Sequence, residues 1–109
     1  MASDRSESKG HLDLLILAVL AQAPAHGYRI IATPRERSGG TFDLPEGTVY
    51  PALHRLEAEG LVTSEWQVEQ GRRRRCYQLS ARGEALLEAQ REQWARFSEG
   101  VNAVLGWSG

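Results

Sequence analysis

The sequence predicts an α+β fold that is mainly α: three helices, a β-hairpin and a long last helix. Three observations carry this. A stripe of apolar residues at helical spacing, Val49, Leu53 and Leu56, runs between a cap-forming Thr48 and a terminating Gly60. Two segments rich in β-formers flank Glu69-Gln70-Gly71-Arg72, which supplies a turn glycine. Beyond Ser80, apolar residues recur at helical spacing to about Leu105, three then four apart from Trp94 onward.

Residues 1–10 are polar and mixed in charge, and are expected to form a flexible tail. Residues 11–22 are apolar almost all round, which implies a helix buried on most faces, against the domain and against a second subunit. The run alone also fits a buried strand, but its Leu and Ala content favours helix. Ala23-Pro24 ends it. A second helix is expected over 25–38, closed by Gly39-Gly40, with Tyr28, Ile30 and Ile31 on its buried side. Pro34 inside it removes one backbone donor and should kink or shorten it. Residues 41–44 alternate as a short edge strand would.

The third helix is expected from Thr48, with Pro51 in its first turn, where a missing N–H matters little. Opposite its apolar stripe stand Gly47, Pro51, His54 and Ala58, flanked by Tyr50 and Arg55. Strands are expected over 61–68 and 73–79, and Ser80 is a plausible N-cap for the last helix. A domain this small hardly needs a helix of some 25 residues, so a partner chain is the reason to expect one. Together these elements make a winged helix-turn-helix over 11–80 and a C-terminal dimerisation helix over 81–109.

Composition narrows the function classes. The chain has 109 residues, 41% apolar and 25% charged, which suits one small globular domain. The formal net charge is -1, so nucleic-acid binding has to come from local charge. The one cysteine, Cys76, excludes an intrachain disulfide and fits a cytoplasmic setting. The longest apolar run, 14–21, is far short of a membrane span, and no signal peptide is convincing. His11, His26 and His54 lack metal-ligand spacing. No phosphate loop, nucleophile elbow or paired carboxylates stand out, so neither an enzyme nor a cofactor is expected.

The strongest chemical signal is the run Arg72, Arg73, Arg74 and Arg75. On a strand, alternate arginines point to opposite faces, and those on one side reach DNA phosphates. The plain alternative is a solvated wing that resists edge-to-edge pairing. On the third helix, Thr48, Tyr50, His54 and Arg55 are candidates for phosphates or base edges, against the alternative of a surface helix with no partner. Tyr28 and Arg29 are further candidates for phosphate bonds, and core packing fits Tyr28 equally well. Trp94 and Phe97 either pack on a dimer seam or wall a pocket for a flat apolar effector; Trp107 joins them or hangs free. Leu14, Leu17, Leu87, Val101, Val104 and Leu105 complete the expected dimer interface. Cys76 reads as a small strand residue, or as a thiol sensor if Arg75 lowers its pKa.

These residues resemble the PadR-like family of bacterial transcriptional regulators. The resemblance rests on Leu12-x-Leu14-Leu15-Ile16-Leu17 with Pro24-x-His26-Gly27-Tyr28, on the block from Glu46 to Glu57, and on Arg74-Arg75-x-Tyr77-x-Leu79-Ser80-x-x-Gly83. It implies a winged-helix homodimer, usually a repressor, of a kind that responds to phenolic acids, drugs or other small molecules often held near the dimer interface. It places Tyr50, Pro51, His54 and Arg55 on a helix in the major groove of a near-palindromic double-stranded operator, and Arg72 to Arg75 in the wing. Pro34 departs from the family pattern. Two other readings remain open on the residues: an acidic protein partner for the same surface, and a small-molecule carrier built on the Trp94 seam.

Overall fold

The computed structural model describes the backbone over residues 3–107, with side chains from His11 onward. In chain order it has α1 (Ser3–Gln22), β1 (Ala25–His26), α2 (Gly27–Arg37), α3 (Glu46–Ala58), β2 (Val62–Glu69), β3 (Arg72–Leu79) and α4 (Ala81–Leu105). The sheet is antiparallel with order β1-β3-β2.

Helix α1 starts at Ser3 rather than near His11, so the backbone of most of the expected tail is helical. No proline interrupts 3–10, and the one glycine, Gly10, costs a helix only about 1 kcal/mol. Residues 25 and 26, expected to open α2, form a short edge strand on β3, with Ala25 opposite Tyr77 and His26 opposite Cys76. Pro24 favours extended backbone just before them, and the pairing satisfies their polar groups. Residues 41–44 form no strand. The Phe42 amide instead donates to the Ser38 hydroxyl at 2.9 Å.

Pro34 is buried within α2, which runs three residues past it to Arg37. The proline therefore does not end the helix. Helix α3 starts two residues before Thr48: Pro45 is the N-cap, and the Thr48 hydroxyl donates back to the Pro45 carbonyl at 2.9 Å. Pro51 accordingly sits in the second turn. At the hairpin tip Gln70 (φ 52°) and Gly71 (φ 77°) are both left-handed, as a two-residue primed turn requires. Ser80 caps α4 by accepting the Gly83 amide at 3.1 Å, and Gly106 (φ 77°) closes it.

The core gathers Ile16, Leu17 and Leu20 of α1, Ile30 of α2, Val49, Leu53 and Leu56 of α3, Val62 and Tyr77 of the sheet, and Leu87 of α4. Helix α1 lies against α2, α3, α4 and β3, which is why its run 14–21 is apolar. This corrects two expected interface positions. Leu17 and Leu87 are buried inside their own chain and offer a second subunit nothing, while Leu14 packs half-buried at the core's edge. Beyond Leu87 the large apolar side chains of α4 are no longer buried, although Trp94 still meets His11 of α1 edge-on. Trp94, Phe97, Val101, Val104 and Leu105 are all exposed, Val104 at 90%.

Candidate nucleic-acid interface

Helix α3 divides as its sequence periodicity requires. Val49, Ala52, Leu53 and Leu56 are buried, and Gly47, Pro51, His54 and Ala58 face outward. Tyr50 lies at the border. Its ring is laid over Gly27 at the start of α2, so close that a β-carbon on Gly27 would stand 2.5 Å from the Tyr50 hydroxyl. A glycine is needed there for contact, since any side chain would push Tyr50 away. Tyr28, next in sequence, is 75% exposed, which removes the core-packing reading; Arg29 is exposed beside it.

The hairpin presents its arginines as strand alternation dictates. Glu69 pairs with Arg72 and Gln67 with Arg74 on one face; Val68 pairs with Arg73 and Trp66 with Arg75 on the other. Arg75 is committed: its Nε donates to Ser64 Oγ at 2.8 Å, and it lies 3.6 Å from Glu57 of α3. Among the described residues, Arg72, Arg73 and Arg74 have no ion-pair partner. A hollow of about 510 Å³ lies between hairpin and helices, lined by His26, Gly27, Tyr28, Tyr50, Arg74 and Tyr77 among others. His26 lines it, with Nδ1 3.2 Å from the Arg75 carbonyl oxygen and Nε2 3.5 Å from Glu69 Oε1.

Arg55 departs from expectation. It turns back toward α1 and donates both terminal nitrogens to Asp13, at 2.6 and 3.0 Å, with Glu59 3.9 Å away. The hydrogen bonding to Asp13 raises the Arg55 pKa above its ordinary value, burial opposing and the two carboxylates adding to the rise. The guanidinium is thus engaged away from the outward face. Cys76 is buried, on the strand face opposite Arg75. Burial first, then Glu65 and Glu69, pushes its thiol up, so the low-pKa sensor reading fails. Among the described residues no cluster of three or more His, Cys, Asp or Glu could hold a metal, and no helix is long and apolar enough to cross a membrane.

On α4, the rings of Trp94 and Phe97 stack at 5.7 Å with a 33° tilt, and His11 of α1 meets Trp94 edge-on at 5.8 Å. Trp107, just past the Gly106 cap of α4, is exposed. Sequence reasoning missed Asp13, His26, Glu57 and Trp66 as members of these constellations. Only Trp66 had a usable signal: with the turn at Gln70-Gly71, counting outward sets it across from Arg75.

A helix with an outward face of small and polar residues, a second helix crossing its start and a basic hairpin beside it define a winged helix-turn-helix. The model of the transcriptional regulator PadR-like family matches residues 16–89, and the chain belongs to that family. It is 38% identical over 87 residues to the transcriptional regulator Rv3488 of Mycobacterium tuberculosis, covering 80% of this chain and 78% of that one. A PadR-like transcription factor from Bacteroides fragilis superposes with a TM-score of 0.80 at 31% identity, over 95% of this chain and 99% of the other. The Bacillus subtilis PadR solved in complex with operator DNA superposes with a TM-score of 0.67 at 25% identity, over 72% of this chain and 45% of its own length. These relatives are described as transcription regulators, not as enzymes.

Proposed function

We propose that this chain is a sequence-specific DNA-binding repressor that works in the cytoplasm as a homodimer and is relieved by a small aromatic or apolar effector. The observation that carries the reading is the pairing of α3's outward face with a hairpin whose Arg72, Arg73 and Arg74 lack ion-pair partners among the described residues. In this reading α3 enters the major groove. His54 and Tyr50 face base edges or phosphates, and Gly47, Pro51 and Ala58 are small enough to admit close approach. Thr48, Tyr28 and Arg29 lie along the rim, suited to the backbone, and the wing arginines add phosphate contacts. Arg55 takes no part in DNA binding because Asp13 engages it.

The exposed apolar stripe Trp94, Phe97, Val101, Val104 and Leu105 supports a second copy of the chain on α4. Two copies of α3 then meet successive major grooves about 34–36 Å apart, on a near-palindromic operator. Trp94 and Phe97 would wall the effector site on that seam.

The test is fluorescence anisotropy with the duplex upstream of the chain's own gene and a scrambled duplex, over a salt series. Strong preference with a steep slope is expected. Equal, weak binding to both would defeat the reading. Arg72→Ala with Arg74→Ala should lower the salt slope by about 0.9 for each phosphate that a protomer no longer neutralises.

A further inference from the structure

Trp66 is 54% exposed at mid-hairpin and is not part of the buried core. Two of its same-face neighbours across the ladder are cations. It stands opposite Arg75 in the register, with Arg73 on the same face two pairs nearer the tip. The guanidinium carbon of Arg73 lies 4.7 Å from the indole centroid and that of Arg75 5.1 Å. Two guanidiniums on one strand face repel and would splay; the electron-rich indole face attracts both.

The two arginines are not equivalent. Arg75 is pinned further by Ser64 and Glu57. Arg73 has no hydrogen-bond or ion-pair partner among the described side chains, so stacking on Trp66 is its one restraint and its N–H fork stays open. Ser64 and Arg75, on this same hairpin face, both engage Glu57 of α3, so the stack continues outward from the groove-facing helix. A free arginine loses much rotamer freedom when it grips a phosphate; a stacked one has already lost most of it.

We propose that Trp66 is a positioning residue for DNA-backbone recognition. Its indole plane holds Arg73, with Arg75 as the fixed neighbour, so that the open fork of Arg73 is preordered for a backbone phosphate. This rests on the DNA-binding reading above. The role makes a distinctive prediction. Removing the ring disorders Arg73 without removing its charge, so affinity falls while the number of counterions released stays the same.

The experiment compares Trp66→Leu, Trp66→Phe and Arg73→Ala with the wild-type chain by anisotropy over a salt series on the operator duplex. Trp66→Leu should bind about five- to thirty-fold more weakly with an unchanged salt slope, and Trp66→Phe should recover part of the affinity. Arg73→Ala should lower the slope itself by about 0.9 per protomer. NMR of the arginine Nε–H groups, without DNA, should show Arg73 less ordered in Trp66→Leu. Wild-type affinity in Trp66→Leu, or unchanged Arg73 order, overturns the positioning role alone. A wild-type chain that binds no duplex overturns the DNA-binding reading and the phosphate role with it.

Discussion

Replacing Asp13 with Asn should destabilise the protein while leaving its sequence preference intact. Asp13 accepts two hydrogen bonds from Arg55, at 2.6 and 3.0 Å, across a pair whose side chains are 17% and 27% exposed. A fully exposed pair contributes about 0–1 kcal/mol. Removing one partner of a fully buried pair costs about 3–5 kcal/mol. The Asp13–Arg55 pair lies between, bidentate but reached by water, so about 2 kcal/mol is expected. At about 2.1 cal/mol/K per residue, 109 residues give an unfolding entropy near 0.23 kcal/mol/K, and 2 kcal/mol lowers Tm by about 9 °C. The sign with pH follows from Arg55. A raised folded pKa gives stability that is fully present below the unfolded value and lost only as pH climbs through the folded one. The Arg55 contribution is therefore flat across neutral pH. The assay is a double-mutant cycle with Arg55→Gln, read by thermal and urea unfolding at pH 7. A coupling energy below about 0.5 kcal/mol would refute the reasoning, as would a changed operator preference in Arg55→Gln at matched folded fraction.

Three further outcomes are expected. In Gly83→Ala the new β-carbon would stand 2.1 Å from the Leu61 carbonyl oxygen. Rigid backbone cannot yield as a side chain can, so a loss of about 3 kcal/mol or more is expected; a Tm within 3 °C of wild type, on about the same entropy, would contradict this. Gly27→Ala meets only the end of the Tyr50 side chain. Its Tm should move little while operator affinity falls through the displaced ring, and unchanged affinity would remove Tyr50 from the DNA-facing surface. Finally, burial raises the Cys76 and Tyr77 pKa values above 9.0 and 10.0, so stability should be full below pH 9 and decline as pH rises above it. Tyr77→Phe should flatten that limb in urea titrations between pH 8 and 11, and an identical limb would show that Tyr77 does not contribute.

Where structure follows from neighbours in sequence, it was legible. The Ser80 cap, the Gln70-Gly71 turn and the buried stripe Val49, Leu53 and Leu56 each depend on contacts a few residues apart. What stayed hidden depends on distant partners. Strand β1 is two residues long, too short for any periodicity, and exists because Ala25 lies beside Tyr77. The α1 residues Ile16, Leu17 and Leu20 carry no mark of which neighbour would cover which side, so Leu17 read as interface as readily as core. Leu87 was misplaced for a related reason: α4 keeps one apolar spacing although Leu87 is buried in the core and the apolar side chains from Trp94 onward are exposed.

The same distinction governs the candidate interface. From the sequence, the run of four wing arginines is the strongest claim on a polyanion and Arg55 a further one, but nothing local says which of the five is left unpaired. The fold ranks them. Asp13, 42 residues away, draws Arg55 back, and Glu57 anchors Arg75. Trp66 orders Arg73 without neutralising it, and Arg72 and Arg74 stay unpaired among the described residues. Charges beyond about 8 Å are largely screened at physiological ionic strength, so a phosphate at the hairpin senses these arginines and little of the net -1. Of the acidic residues, Glu69, opposite Arg72, and Glu65 on the same strand face are near enough to offset part of the wing's charge, and the more distant ones are not. Asp13 and Glu57 neutralise the cations nearest the helical body, and the unpaired positive charge is left along the wing.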